Sequence, residues 1–174
     1  ATWGFVDALA QQTDVRGGEA SAWYNATRYN YSATTTSSNG IWSKSYNIIA
    51  NVNFLLENLE KKKEMFSPAM YAVIKGEALG LRAFLHFDLM RIYGPIYSVD
   101  TENEICIPYQ ETDSKEIQPL LSAKEVMGKI IRDLNDAADL LKGDPIRTEG
   151  VMAEDSKYLN ETNDFRYRQY RLNY

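Results

Sequence analysis

Flat aromatic rings alternate with planar polar side chains through residues 14–31, and this mixture suits sugar binding. An aromatic ring covers the apolar face of a sugar, while amide, carboxylate or guanidinium groups satisfy its hydroxyls in pairs. Loops on a rigid scaffold commonly carry binding residues. We therefore predict ligand contacts at six positions of this segment: Asp14, Arg16, Trp23, Tyr24, Asn30 and Tyr31. The segment also contains Asn25, Arg28 and Tyr29.

Anchoring is the alternative role for the aromatic residues of this segment. Trp23 and one or two of the tyrosines would then hold the loop against neighbouring helices and contact no ligand. The composition of residues 14–31 is compatible with both roles, so the two interpretations stand side by side.

Catalytic chemistry is not predicted. The chain has no G-x-S-x-G motif, no glycine-rich phosphate loop and no H-E-x-x-H motif. Glu77 and Arg82 are five residues apart, so on a helix they point to different faces. Asp88 and Arg91 are three residues apart and are expected to form an exposed ion pair. We therefore predict a protein that is not an enzyme.

The only histidine and the only cysteine are predicted to be structural. A single cysteine excludes an internal disulfide and a cysteine zinc site. We expect Cys106 to be a small buried hydrophobic residue and His86 to be a packed aromatic one, although a Cys–His pair is conceivable. No cofactor and no metal are predicted.

Composition places the chain among ordinary globular domains. It has 174 residues, of which 44% are hydrophobic and 25% are charged. The net charge of −5 argues against nucleic-acid binding, which needs concentrated Lys and Arg. The 12 tyrosines favour contacts with sugars or proteins. No apolar run approaches the roughly 20 residues that span a bilayer, so any membrane attachment would lie outside this chain.

Hydrophobic periodicity predicts helices joined by irregular segments. A short helix around Phe5 and Leu9 precedes a predicted loop over residues 14–39, in which the small hydroxyl residues 34–38 lack a helical period. A long helix then runs from near Gly40 to about residue 63.

A second long helix is predicted to form an antiparallel hairpin with the first. Ser67 caps its start, with Pro68 at the first helical position. Gly94 is expected to end it in a left-handed conformation, followed by Pro95. Small residues line one face, where another backbone can approach: Gly76, Gly80 and Ala83. Two neighbouring apolar stripes predict packing on both sides, one from Tyr71 to Ile92 and one made of Met70, Val73, Phe84 and Phe87.

A third helix follows an extended excursion over residues 95–121. Ser122 and Glu125 form a predicted capping box, and Gly143 ends the helix. Residues 144–162 are predicted to be irregular. A final helix begins near Asp164 and is expected to be cut short at Tyr174.

One helical stretch, Gly76 to Tyr97, carries a specific combination of acidic, basic, small and aromatic positions. It resembles the signature helix of the SusD/RagB family, roughly E-A-x-x-L-R-A-F-x-x-F-x-L-x-x-x-Y-G-x-x-P. The matching residues are Glu77, Ala78, Leu81, Arg82, Ala83, Phe84, Phe87, Leu89, Tyr93 and Gly94. The proline departs from the pattern, since Pro95 directly follows the glycine. Further similarity lies at Trp42, Tyr46, Ile49, Asn51 and Asn53, and at residues 171–174.

The resemblance implies an all-α fold of tetratricopeptide-like helical hairpins with long inserted loops. Residues 1–174 would be the N-terminal portion of a truncated SusD-like domain, about its first third. The family consists of surface-exposed lipoproteins of the Bacteroidetes outer membrane, which bind oligosaccharides and deliver them to a SusC-like TonB-dependent transporter. The alternatives are a tetratricopeptide-like protein-interaction scaffold without a glycan site and a family member that binds peptides.

Overall fold

The computed structural model describes residues 2–18, 20–114 and 116–144. Within these ranges no β-strand forms, and the strand-like pairing is an isolated antiparallel bridge between Ile105 and Ser122. The all-α prediction is therefore confirmed. The five α-helices of these ranges are α1 (Thr2–Leu9), α2 (Ala22–Thr27), α3 (Tyr31–Lys61), α4 (Pro68–Tyr93) and α5 (Ala123–Leu140). Short 3₁₀ turns at Lys63–Met65 and Leu141–Gly143 follow α3 and α5.

The predicted loop over residues 14–39 is wrong from Ala22 onward, apart from the short turn at residues 28–30. It contains α2 and the first nine residues of α3, which begins at Tyr31 and not near Gly40. The hydroxyls of Thr34 and Thr35 each donate to the carbonyl of Tyr31 at 3.1 Å, so they are satisfied within the helix. Thr34 is also buried, with 1% of its surface exposed. Packing of this kind overrides the weak helix propensity of Ser and Thr.

Helix α4 begins as predicted and ends for a different reason. The Ser67 hydroxyl accepts the backbone N–H of Met70 at 3.2 Å, and Pro68 occupies the first turn. Gly94 follows the helix with φ −89° and ψ 174°, so the predicted left-handed conformation is wrong. Extended backbone is what a residue before proline prefers. Glycine is needed there for space, because a Cβ would lie 2.5 Å from Sγ of Cys106.

The small-residue face of α4 lies against α5 and the turn that follows it. A Cβ on Gly76 would lie 2.7 Å from Cγ of Leu141, and Ala83 is fully buried. A Cβ on Gly80 would lie 3.9 Å from Cβ of Ala137, which is an ordinary van der Waals distance. The close approach predicted for the whole face therefore occurs at Gly76, and the prediction is wrong for Gly80.

The two apolar stripes of α4 have different environments. Leu89 of the first stripe is buried in the main core with Ile49 of α3 and Ile130 of α5. In the second stripe Val73 is buried, but three members are largely exposed: Met70, Phe84 and Phe87. Among the described residues, α4 therefore packs against both α3 and α5, as predicted, but the second stripe is mostly exposed and does not supply one of the packed sides.

Helix α5 has the predicted capping box. The Ser122 hydroxyl accepts the backbone N–H of Glu125 at 3.3 Å, and the Glu125 carboxylate accepts the N–H of Ser122 at 2.9 Å. Of the apolar residues that its helical spacing predicts to face the core, Val126 and Ile130 are buried, whereas Ile131 and Leu134 are about half exposed. The buried side of α5 also includes a carboxylate, Asp133, with 1% exposure.

The connection from α4 to α5 crosses the hairpin and is tied to it. Residues 105–114 of this connection are called the connecting segment. Tyr46 of α3 donates its hydroxyl to the carbonyl of Pro108 at 2.8 Å. Asn53 of α3 donates to the carbonyls of Gln110 and Thr112, each at 3.0 Å. These bonds fix an irregular segment against α3 without a sheet.

In the part of the chain that the structure describes, no helix is both long and apolar enough to cross a membrane. The irregular segment predicted for residues 144–162 lies outside the described residues beyond Asp144. The final helix predicted from Asp164 lies outside them entirely.

Candidate functional site

The arginine of the signature helix is the centre of a buried polar network. Nε of Arg82 donates to Oδ2 of Asp133 at 2.6 Å, and its Nη1 donates to Oδ1 of Asn53 at 3.0 Å. The Tyr109 hydroxyl donates to the same Asp133 oxygen at 2.8 Å. Burial opposes ionisation of Asp133, but the hydrogen bond and charge of Arg82 outweigh it and hold its pKa below the ordinary value. The network joins α3, α4, α5 and the connecting segment, which is a structural role.

His86 is a packed aromatic residue, as predicted. Its Nε2 accepts the backbone N–H of Gln110 at 3.1 Å, so the proton resides on Nδ1, which donates to the Arg82 carbonyl at 2.9 Å. Burial lowers the pKa of His86 to about 4. Cys106 is buried, as predicted, and burial raises the pKa of its thiol. Both residues pack in the core.

Several charged side chains at the surface of the described residues form ion pairs, some of which share a partner, as Glu111 does with Lys129 and Arg132. Asp88 and Arg91, which are three positions apart in the sequence, form an ion pair at 3.0 Å, as predicted. Among the described residues, no group of three or more His, Cys, Asp or Glu side chains is arranged to hold a metal ion.

Four of the six predicted ligand residues lie in or next to α2 and the start of α3, and two of them, Tyr24 and Asn30, line a shared depression there. Trp23 and Tyr24 lie on α2, Asn30 precedes α3, and Tyr31 is its first residue. Asp14 and Arg16 lie in the preceding loop. They pair with each other at 3.8 Å and are almost fully exposed.

Trp23 is in the position that anchoring requires. Its indole lies over the backbone of Gly4 in α1, so closely that a Cβ on Gly4 would overlap ring atoms Cη2 and Cζ3. The contact joins α2 to α1 beside a small core made of Phe5, Ala8 and Ala26. The indole nevertheless keeps 39% of its surface exposed, so one part of the ring anchors and another is open.

A depression of about 390 Å³ lies at the junction of α2 and α3. Its lining residues are Tyr24, Asn25, Arg28, Asn30 and Ala33. The guanidinium carbon of Arg28 lies 4.5 Å from the centroid of the Tyr24 ring. Nδ2 of Asn30 donates to Oδ1 of Asn25 at 3.0 Å, and Nδ2 of Asn25 donates to the Ser21 carbonyl at 2.9 Å. The two amides are therefore held in fixed orientations.

Two exposed tyrosines, Tyr29 and Tyr31, are next in sequence to Asn30, which lines the depression. Tyr29 has φ 53°, in the left-handed region that a tyrosine seldom adopts. The rings of Tyr29 and Tyr31 have centroids 6.4 Å apart and planes at 39°. They are 49% and 66% exposed, so they present aromatic surface to solvent.

The six predicted residues omit Arg28, which the structure assigns to the lining of the depression. A helical reading of residues 22–28 would have found it, because Tyr24 and Arg28 are spaced i,i+4 and meet on one face. Because this segment is predicted to be a loop, the i,i+4 spacing of the two residues does not enter that prediction. The left-handed backbone at Tyr29 has no comparable sequence signal.

The chain is similar to a known protein family over most of its length. Residues 6–151 match the SusD-like_3 family, described as "Starch-binding associating with outer membrane". No curated protein matches the chain. The match covers most of the chain and includes both the signature helix and the α2–α3 junction. The chain therefore belongs to the SusD/RagB family, a family of non-catalytic proteins that bind starch or related glycans in association with the outer membrane.

Proposed function

We propose that this chain is the N-terminal part of a surface-exposed outer-membrane lipoprotein that captures an oligosaccharide and delivers it to a SusC-like TonB-dependent transporter. Family membership over residues 6–151 is the observation that carries the proposal. The lipid anchor would lie outside this chain, and the protein would have no catalytic activity of its own. The helices would serve as a scaffold and the loops would hold the ligand.

The α2–α3 junction is the proposed contribution of this part of the chain to sugar binding. The exposed rings of Tyr29 and Tyr31 offer apolar faces for stacking. The fixed amides of Asn25 and Asn30 lie in the neighbouring depression with Tyr24. Pre-oriented polar groups beside exposed rings favour ligand binding because little ordering is needed on association.

The test measures binding of soluble starch and a panel of oligosaccharides to the protein and to Tyr31→Ala. Loss of one stacked ring should weaken binding by about 1–3 kcal/mol, by analogy with aromatic stacking on other ring ligands. Tyr97→Ala is the matched control, since Tyr97 is also exposed, at 45%, and lies beyond α4. Equal affinity of the protein, Tyr24→Ala and Tyr31→Ala would remove the junction from the site.

A protein-interaction scaffold without a glycan site, or a peptide-binding family member, is the second candidate. The exposed apolar side chains of α4, such as Phe84 at 52%, favour it because a partner could cover them. Recovery of an outer-membrane barrel with the protein, together with no binding on a glycan array, would support the scaffold. Binding of peptides in place of glycans would support the peptide-binding alternative.

A further inference from the structure

Arg28 differs from the other arginines of the described residues in having no carboxylate partner there. The other four each pair with an acidic side chain: Arg16, Arg82, Arg91 and Arg132. The guanidinium of Arg28 instead lies over the Tyr24 ring, and the residue is exposed. The chain as a whole carries a net charge of −5, so acidic residues are not scarce.

The stacked arrangement leaves the donors of Arg28 available. Stacking on an aromatic ring uses the face of the guanidinium, whereas its five N–H groups lie in the plane. Within the described part of the chain, the Arg28 side chain makes no hydrogen bond to another residue. A planar fork with free donors matches the two oxygens of a carboxylate or sulfate.

The surroundings of Arg28 supply the rest of a sugar site. Tyr24, Asn25, Asn30 and Ala33 are the other residues that line the depression, and none of them is charged. Asp14, in the loop nearby in sequence, is paired with Arg16. The depression therefore combines one uncompensated positive charge with fixed amides and aromatic rings.

We propose that the α2–α3 junction binds a sugar that carries an anionic group, with Arg28 as the residue that selects it. A uronate carboxylate or a sugar sulfate would accept hydrogen bonds from the Arg28 fork, while Tyr24 holds the guanidinium in place. The inference rests on the proposed glycan-binding function and narrows its ligand to acidic glycans, whereas the family description specifies starch, which is neutral.

Binding of three oligosaccharides to the whole chain tests the proposal: maltoheptaose is neutral, trigalacturonate carries carboxylates, and a carrageenan oligosaccharide carries sulfates. One of the acidic probes should bind more tightly than maltoheptaose, and the preferred probe separates carboxylate from sulfate. Arg28→Gln should weaken that binding about tenfold or more, as expected for loss of a charge-assisted bidentate contact. Arg28→Lys should retain part of it, since lysine keeps the charge and loses the fork.

The matched control is Arg91→Gln, which removes an exposed arginine of α4 and should leave all three affinities unchanged. A thermal melt of each variant establishes folding, and Arg28→Lys provides the comparison if the glutamine variant does not fold. The protein could instead prefer maltoheptaose, with that binding weakened by Tyr24→Ala and unaffected by Arg28→Gln. This result would overturn the proposal of an acidic ligand but would still support glycan binding. No binding of any oligosaccharide would overturn the glycan function itself, and this inference with it.

Discussion

The rings of His86 and Tyr109 stack face to face, with centroids 3.8 Å apart and planes 17° from parallel. His86 belongs to the signature helix α4 and Tyr109 to the connecting segment. Nε2 of His86 also accepts the N–H of Gln110 at 3.1 Å, so the imidazole holds the connecting segment by its face and by its edge. This arrangement requires the neutral imidazole, because a protonated ring has no acceptor.

Acidification should therefore begin to destabilise the protein at a higher pH than that at which the neighbouring carboxylates of Asp133 and Glu111, whose pKa values are lowered, take up protons. The pKa of His86 falls from an ordinary 6.5 to about 4 on folding, chiefly because of burial. The unfolded chain then binds a proton at a higher pH than the folded one, so stability is complete above pH 6.5 and is lost as pH falls toward 4. The loss should reach about 3 kcal/mol, since each pKa unit corresponds to ~1.4 kcal/mol.

Urea unfolding between pH 7 and pH 4.5 measures this loss. Charged groups that face His86 are Arg82 of α4, Asp133 of α5 and Glu111 of the connecting segment. Asp133 has a lowered pKa, so its contribution is lost only at lower pH. His86→Phe removes the only histidine and should flatten the profile above pH 5. An unchanged free energy of unfolding between pH 7 and pH 5 in the protein itself would contradict the explanation.

A bulky residue at Gly76 should be costly, whereas a small one at Gly80 should not. At Gly76 even a Cβ would lie 2.7 Å from Leu141 Cγ, so Gly76→Leu should cost about 1–3 kcal/mol or more through overpacking. At Gly80 a Cβ meets Ala137 at 3.9 Å. Gly80→Ala should therefore be neutral or raise stability by up to about 1 kcal/mol, the helix-propensity difference. The melting temperatures of Gly76→Leu and Gly80→Ala are compared with that of the unchanged protein. Equal changes in the two variants would reject a close contact specific to Gly76.

Removal of one partner of the buried Arg82–Asp133 pair should be strongly destabilising. Arg82→Leu leaves the Asp133 carboxylate buried without its main counter-charge, which costs about 3–5 kcal/mol. The double variant with Asp133→Leu should recover part of that loss, because both charges are then absent. Arg91→Leu breaks an exposed pair and should cost less than about 1 kcal/mol. Urea unfolding of the two single variants and the double variant gives the coupling energy between Arg82 and Asp133. A loss of stability in Arg82→Leu as small as that in Arg91→Leu would contradict a stabilising buried network.

Trp23→Ala separates anchoring from ligand contact. If the indole chiefly fixes α1 through Gly4, the variant should lose about 1–3 kcal/mol of stability from the contact over Gly4 and a partly exposed ring. Affinity for soluble starch should then change less than in Tyr31→Ala. The free energy of unfolding and the affinity for starch are measured on the same sample of the variant. A loss of affinity with no loss of stability would indicate that Trp23 contacts the ligand.

The residues of the candidate site could be predicted from the sequence only in part. Aromatic and amide content marked residues 14–31, because sugar recognition demands those groups at any geometry. The contact of Arg28 with Tyr24 depends on α2 being helical, and α2 has only six residues, too few to form alone. Packing on α1 and α3 decides that helix. The sequence pattern therefore indicated the segment and missed the arrangement within it.

The sequence by itself determined those elements whose signals are local. Ser67, Pro68 and Pro95 bound α4, and the Ser122–Glu125 box starts α5, because caps and prolines act through neighbouring backbone groups. Only the tertiary structure decided which side of each helix is buried. It decided that α3 begins at Tyr31, since burial of Thr34 outweighs the propensity of its neighbours.

Tertiary structure also decided the partner of the signature arginine. Arg82 and Asp133 are 51 residues apart and meet only when α4 and α5 pack, and neither position signals burial because both are charged. A carboxylate enters a core only if a specific counter-charge is already placed there. That placement depends on three-dimensional packing, which no periodicity within a single helix can encode.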